Sequence, residues 1–213
     1  TAVNFDGTTE GIETLDESAQ AVRAMSPSQF RYLTADQVPD LSVEQIASIT
    51  NANYFYNMSS AARGALNAEQ VQALDTSIIN IGYLTSAQRE DLSSDQVQAV
   101  SASRLRYLPA SQVRHITVDQ LSAISNANYF YNMSSAARGA LNAEQVQALD
   151  TSIINIGYLT SAQREDLTPD QVQAVSVSTL RYLPASQVQH ITVDQLSSIT
   201  NANYFYNLSS AAR

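Results

Sequence analysis

The sequence predicts an all-α solenoid of short capped helices, in which an eight-residue repeat is nested within a 75-residue repeat. Two observations support this prediction. Residues 51–125 and 126–200 align without a gap and differ at only seven positions, and both contain the same series of eight-residue motifs. Tandem units of this kind are typical of repeat proteins, in which each unit buries its apolar side against the next one.

The 75-residue repeat also divides the chain. Its last part occurs in a more diverged form before residue 51, and a further copy begins at residue 201. The predicted divisions are a divergent N-terminal segment (1–17), a partial repeat unit (18–50), two full repeat units (51–125 and 126–200) and a truncated unit (201–213). Because the last copy stops abruptly, we expect the chain to be a segment cut from a longer array.

The eight-residue motif, or octad, has Ser, Thr or Asn first, Gln fourth, and aliphatic residues fifth and eighth. Fifteen octads occur, including five in succession from residue 85 and five more from residue 160. Eight residues advance an α-helix by about 800°, so an apolar stripe would rotate by roughly 80° in each octad. Proline also recurs at octad boundaries, where it would interrupt a continuous helix. The octads are therefore predicted to be separate short helices.

Each octad begins with residues that favour a helix N-terminus. The first residue can accept a hydrogen bond from the backbone N–H of the Gln at N3, and the Gln side chain can reach back, forming a capping box. Gln occupies this position in thirteen octads. Pro109 and Pro184 stand at the cap of two octads, which should lack the capping oxygen. Both aliphatic positions are expected to face a shared core, except where Arg89 and Arg164 occupy the first of them.

Two segments interrupt the octads in each 75-residue repeat. They are residues 51–66 and 75–84, with copies at 126–141 and 150–159. We expect the first segment to be helical until Gly64, where a break or a C-terminal cap is favoured. The second segment contains Thr-Ser-Ile-Ile-Asn, and a short extended piece remains an alternative to a turn or helix there.

Composition narrows the range of functions. The 20 acidic residues outnumber the 11 basic ones, all of them Arg, and the net charge is −9. This charge opposes binding to nucleic acids, because phosphate neutralisation drives their association with proteins. No apolar run is long enough to span a bilayer, so no membrane insertion is expected. The absence of Cys excludes disulfides and thiolate chemistry.

No residue pattern indicates an enzyme. The only two histidines, His115 and His190, occupy equivalent positions in two repeats, whereas a catalytic site needs different residues at one point. We find no phosphate-binding loop and no cluster with metal-ligand spacing. The sequence therefore predicts a non-catalytic protein with no cofactor and no metal. Arg31, Arg106 and Arg181, each followed by Tyr-Leu, are expected to pair with neighbouring acidic residues.

The most distinctive side chains are aromatic triplets that recur every 75 residues. Tyr can pack against apolar groups while its hydroxyl stays in water, so these triplets are candidates for contact with a glycan or a protein. The alternative is that they fill space where the octads are interrupted. The candidate residues are Tyr54, Phe55, Tyr56, Tyr129, Phe130, Tyr131, Tyr204, Phe205 and Tyr206.

Two resemblances bear on function. Leu167 and residues 168–175 resemble the opening of a transcription-activator-like effector repeat, but the short period, the missing base-reading pair and the acidic charge argue against DNA reading. The tandem octads more broadly resemble helical repeat segments of very large bacterial surface or secreted, adhesin-like proteins. That resemblance covers most of residues 18–213 and implies an extracellular or cell-surface location.

We therefore expect a structural spacer or interaction repeat within a larger, bacterial surface or secreted protein. Its partners would be adjacent repeats of the same chain and a protein or glycan. An alternative is a binding module in which the aromatic triplets contact a glycan or protein. A helical repeat that binds nucleic acid is the least favoured, because of the charge.

Overall fold

The computed structural model describes residues 17–213, which form helices and turns without any strand. The predicted N-terminal segment 1–17 lies outside the described residues except for Glu17. The chain divides into two compact units, Thr1–Ile79 and Asn80–Arg213. The prediction of an all-α protein built from many short helices is confirmed.

Fifteen helices in the described residues are α-helical, and most of them have only five or six residues. They are α1 (Glu17–Arg23), α2 (Val43–Ala47), α3 (Ala52–Tyr56), α4 (Ser60–Gly64), α5 (Ala68–Gln72), α6 (Ser86–Glu90), α7 (Ser94–Ala99), α8 (Val118–Ser122), α9 (Ala127–Tyr131), α10 (Ser135–Gly139), α11 (Ala143–Gln147), α12 (Ser161–Glu165), α13 (Pro169–Ala174), α14 (Val193–Ser197) and α15 (Ala202–Tyr206).

Eight further helices in the described residues are 3-10 helices. They are η1 (Pro27–Tyr32), η2 (Ala35–Asp40), η3 (Ile81–Tyr83), η4 (Ala102–Tyr107), η5 (Ala110–His115), η6 (Ile156–Tyr158), η7 (Val177–Tyr182) and η8 (Ala185–His190). Four of these, η4, η5, η7 and η8, arise from octads in which the capping residue is Pro or the Gln is replaced, so they lack a complete capping box.

The octads begin with the predicted capping bonds. At α2, the Ser42 hydroxyl accepts from the Gln45 backbone N–H at 3.1 Å, and the Gln45 Oε1 accepts from the Ser42 N–H at 2.9 Å. In eleven octads the Gln Oε1 accepts from the backbone N–H of the capping residue. Glu44, in the first turn of α2, has a pKa below its usual range because its own backbone N–H, the Ser42 hydroxyl and Arg23 favour the charged form.

Pro109 breaks this pattern at η5. Proline has no N–H, so the Gln112 Oε1 is buried without a hydrogen-bond partner. The backbone at Pro109, with φ −70° and ψ 159°, is close to the conformation of the Ser and Thr caps elsewhere, such as φ −77° and ψ 156° at Ser42. The cap therefore has the right backbone shape and lacks only its polar groups.

Replacing Pro109 by Ser is expected to raise the free energy of unfolding by about 1 kcal/mol. The new N–H would satisfy the Gln112 Oε1, and the new hydroxyl would accept from the Gln112 N–H. Losing the stiffness of proline costs roughly 0.4–1 kcal/mol, which the two bonds outweigh. Urea unfolding would measure the change, with Pro109→Ala, which restores only the N–H, expected between wild type and the Ser variant. A loss of stability in the Ser variant would contradict this account.

The core is formed by the two aliphatic positions of each octad. From Phe30 to Leu183 both positions are buried, with Phe30 and Val38 at 0% exposure. The exceptions are Arg89 and Arg164, which are half-buried at the position where the other octads place an aliphatic side chain. The predicted apolar pattern is thus confirmed as far as Leu183, together with its two polar interruptions. In the last two octads these positions are half-buried or exposed, as at Val188 and Leu196.

Within each unit, helices that are three apart in the chain pack together. In the first unit η1 contacts α3, η2 contacts α4, and α2 contacts α5. In the second unit the same spacing relates η4 to α9, η5 to α10, and α8 to α11. The helices of each of these pairs begin 25 residues apart. The 75-residue repeat therefore contains three successive sets of three helices.

The second interrupting segment contains no strand. In its copy at residues 150–159, the Asp150 carboxylate accepts from the Ser152 N–H at 2.9 Å and the Ser152 hydroxyl at 2.6 Å. The Ile154 N–H donates to the Asp150 carbonyl at 2.9 Å, which closes a turn before η6. The alternative of an extended piece is therefore wrong, because Asp150 bonds locally and turns the chain.

Candidate functional site

The Gln side chains connect helices that are distant in the sequence. The Gln145 amide nitrogen donates to the carbonyls of Val113 and Ile116, both at 2.8 Å. These carbonyls lie at the C-terminal end of η5, where a helix leaves carbonyl groups without partners of its own. The Gln145 Oε1 meanwhile accepts from the Asn142 N–H at 3.0 Å. One buried amide thus caps the beginning of its own helix and the end of an earlier one.

The same pair of hydrogen bonds from a Gln amide nitrogen recurs in both units. The amide nitrogens donate at 2.7–3.0 Å to two carbonyls that lie 20 to 32 residues earlier. The residues that form it are Gln45 and Gln70 in the first unit, and Gln112, Gln120, Gln145, Gln163, Gln171, Gln187 and Gln195 in the second unit. We call these nine side chains the linking glutamines.

The central residue of an aromatic triplet packs in the core. Phe55 in α3 and Phe130 in α9 are both 0% exposed, so neither is available to a partner. Tyr54, Tyr56, Tyr129 and Tyr131 are half-buried. In the last triplet, Tyr204 is half-buried, whereas Phe205 and Tyr206 are 40% and 64% exposed.

The flanking tyrosines take part in internal contacts. The Tyr131 hydroxyl accepts from the Asn155 N–H at 2.8 Å and donates to the Ile153 carbonyl at 3.3 Å. Its ring stacks on Tyr158 with 4.3 Å between the ring centres. In the first unit, Tyr56 likewise donates to the Ile78 carbonyl at 3.3 Å. These contacts favour a packing role for the first two triplets.

A second surface, which we call the arginine groove, occurs twice in the second unit with a spacing of 75 residues. The first copy has a volume of about 260 Å³, and the second about 270 Å³. The first is lined by Ser86, Arg89, Glu90, Arg106, Tyr107, Leu108, Pro109 and Ser134. The second is lined by the corresponding Ser161, Arg164, Glu165, Arg181, Tyr182, Leu183, Pro184 and Ser209.

The Arg side chains of the groove are held from one side. Arg89 donates to the Leu84 carbonyl at 2.7 Å and to the Ser86 hydroxyl at 3.2 Å. Arg106 lies over the Tyr107 ring, 4.8 Å from its centre, and donates to the Tyr107 hydroxyl at 2.8 Å. Arg164 and Arg181 make the corresponding contacts in the second copy.

The Tyr ring of each groove also lies against a glycine. A Cβ atom at Gly157 would approach the Tyr182 ring to 2.7 Å, and a Cβ at Gly82 would approach Tyr107 equally closely. Such a distance is too short for two carbon atoms, so only Gly allows the ring to occupy this position. The glycine and the arginine together fix the aromatic wall of the groove.

Replacing Gly157 by Ala should therefore displace the Tyr182 ring and lower the free energy of unfolding by roughly 1–3 kcal/mol. Gly139→Ala provides a matched control, because a Cβ there would meet only the Thr160 methyl at an ordinary 3.5 Å. Gly139 ends α10, so Ala is expected to be neutral or to stabilise by up to about 1 kcal/mol. Urea unfolding of both variants tests the contact, and equal effects of the two substitutions would refute it.

The groove carries a local positive charge on an acidic protein. Arg31, Arg106 and Arg181, for which pairing with acidic neighbours is expected, each lie over the ring of the following Tyr, and Arg106 and Arg181 also donate to its hydroxyl. Glu90 is the only carboxylate that lines the first groove, and it accepts a hydrogen bond from the Ser111 hydroxyl. Two guanidinium groups and one carboxylate leave a net charge of about one positive unit.

Among residues 17–213, no group of three or more His, Asp or Glu side chains is arranged to hold a metal ion. In the same part of the chain, every helix is too short or too polar to cross a bilayer.

No protein-family model, no curated protein and no solved structure matches this chain. The described residues define an all-helical protein with helical repeats. Function is therefore inferred from the residues of the chain itself. Sequence reasoning identified the aromatic triplets and missed the arginine groove, although the polar interruptions at Arg89 and Arg164 marked its position.

Proposed function

We propose that this chain is a non-catalytic structural repeat, in which sets of three short helices stack as a solenoid and act as a spacer. The linking glutamines carry this proposal. Each ties the beginning of one helix to the end of a helix 20 to 32 residues earlier in the same unit, so these bonds connect successive sets of helices within a unit. A helix of five residues is unstable in isolation, and such bonds supply the missing stabilisation.

The proposed setting is a larger bacterial surface or secreted protein. It rests on the resemblance of the tandem octads to repeat segments of adhesin-like proteins, and it places the chain outside the cell. The near identity of residues 51–125 and 126–200 fits a spacer, because copies that only set length need no individual features. The binding alternative based on the aromatic triplets has weaker support, since Phe55 and Phe130 are buried.

Small-angle X-ray scattering tests the solenoid. A compact chain of 213 residues would have a radius of gyration of about 17 Å. We expect a clearly larger value, and we expect deletion of residues 126–200, which keeps the repeat in register, to shorten the maximum dimension without lowering the helix content. A radius near 17 Å for the full chain, or unfolding of the shortened chain, would contradict the proposal.

A further inference from the structure

We propose that each arginine groove is a binding site for a carboxylated sugar, with one uronate residue of an acidic polysaccharide in each copy. The inference goes beyond the spacer role and does not depend on it, because it rests on the chemistry of the groove alone. The two copies lie within residues 86–134 and 161–209, in the same unit.

One arginine of each groove lies at an unusual position in its octad. Arg89 occupies the first aliphatic position of its octad, where most octads bury Val, Ile, Leu or Phe. A charged group there forgoes the burial of an apolar side chain, which is worth roughly 1.5–3 kcal/mol. Arg164 makes the same substitution in the second copy. Arg89 and Arg164 thus lower stability in the same way in both grooves. This is expected of residues that are kept for binding a ligand.

The groove offers several hydrogen-bond donors to an anion. A guanidinium group has five N–H donors in a planar fork, a shape that matches a carboxylate. Arg106 is exposed, and in the described residues its one hydrogen bond is to the Tyr107 hydroxyl. Arg89 is fixed from behind by the Leu84 carbonyl and Ser86. The pair is thus held in place with donors remaining for an anion.

The carboxylate in the groove restricts the kind of anion that can bind. Glu90 lines the same groove and would repel a ligand with closely spaced sulfates or phosphates. A ligand with one carboxylate among hydroxyl groups fits better, because Glu90, Ser86 and Ser134 can bond hydroxyls while the arginines hold the carboxylate. Leu108 and Pro109 give the ring of a sugar an apolar surface. A hexuronate residue has this combination of one carboxylate, hydroxyl groups and a sugar ring.

The groove is small and occurs twice. Volumes of about 260 and 270 Å³ lie below the roughly 300–1,000 Å³ of pockets that enclose drug-sized ligands, so each groove has room for about one sugar residue. A single such contact is weak. Repetition on one chain raises the avidity for a long polymer, since the second contact becomes intramolecular.

Isothermal titration calorimetry of the full chain with a hexamer of galacturonate tests the inference, in a buffer of about 0.15 M ionic strength that screens the overall charge. The comparison ligands are a neutral maltohexaose and hexaglutamate, which has the same charge without the sugar. We expect the galacturonate hexamer to bind, the neutral sugar to show no binding, and hexaglutamate to bind at least ten-fold more weakly.

The variant for this experiment is Arg106→Gln with Arg181→Gln, because both side chains are exposed and their loss should leave the fold intact. We expect at least a ten-fold loss of affinity for the galacturonate hexamer, with an unchanged urea midpoint. The control is Arg114→Gln, which removes an exposed arginine outside the groove and introduces the residue that the other copy has at Gln189. Its affinity should stay within two-fold of wild type.

Three outcomes would overturn the inference. The first is no detectable binding at millimolar galacturonate hexamer. The second is equal or tighter binding of hexaglutamate, which would make the groove a site for acidic peptides. The third is equal loss of affinity in the groove variant and the Arg114 control, which would show attraction to charge without a defined site.

Discussion

Replacing Gln145 by Leu is expected to lower the free energy of unfolding by about 3 kcal/mol, although the two side chains are similar in size. The substitution removes three hydrogen bonds at once, two to the carbonyls of η5 and one from the Asn142 N–H. Gln145 is only 3% exposed, so water cannot replace these partners. The groups left behind would be buried without hydrogen bonds, and each costs roughly 1–3 kcal/mol. Urea unfolding followed by circular dichroism measures the loss.

The control is Gln173→Leu, the same change at an exposed position of the same unit. It should alter the free energy of unfolding by less than about 0.5 kcal/mol. A second variant, Gln145→Glu, keeps the shape but directs a carboxylate at two carbonyl oxygens. The repulsion should raise the pKa of that carboxyl above its unfolded value, so this variant should lose further stability as the pH rises from about 4 to 7. Equal stability of the Gln145 and Gln173 variants would refute the linking role.

Replacing Phe130 by Ala is expected to lower the free energy of unfolding by about 3–5 kcal/mol. The ring is 0% exposed, and α9 packs on η4, so truncation leaves a cavity between two helices of five and six residues. Helices this short cannot close the cavity without losing their own hydrogen bonds. The measurement is again the urea unfolding curve, here read together with the melting temperature.

Phe205→Ala is the matched control, because Phe205 has the same Asn-Tyr-Phe-Tyr-Asn surroundings in sequence but is 40% exposed. We expect a loss below about 1 kcal/mol there. Equal losses at the two positions would mean that the sequence motif matters more than its burial. If the Phe130 variant had the same free energy of unfolding as wild type, the packing role would be wrong and the triplet would again be a candidate binding surface.

Much of the fold could be predicted from the sequence because the deciding interactions are local. The capping box joins residues three apart, so the pair Ser42 and Gln45 already indicates where α2 begins. The same local chemistry predicted that Pro109 would leave its octad without a complete cap. The interrupting segment was harder, because Ile-Ile-Asn suits a strand as well as a turn, and only the bonds of Asp150 decide between them.

The candidate sites were predicted less well. The aromatic triplets were predicted as candidate binding groups. Phe130 is nevertheless buried, because the triplet supplies the core side chain where the octads are interrupted. The arginine groove combines Arg89, Arg106 and Ser134, which are up to 45 residues apart in the chain. No local pattern relates such residues, because their proximity depends on which helices pack together.

The sequence by itself determined that this chain forms short capped helices, where most of them begin, and which aliphatic side chains are buried in most of the octads. All of these follow from contacts between residues less than one octad apart. Only the tertiary structure decided that helices three apart pack together and that each linking glutamine donates to carbonyls 20 to 32 residues earlier. The physical reason lies in the amide itself. Except after Pro109 and Pro184, its oxygen accepts from the backbone N–H at the start of its own helix. Its nitrogen must find acceptors wherever packing brings the carbonyl end of another helix.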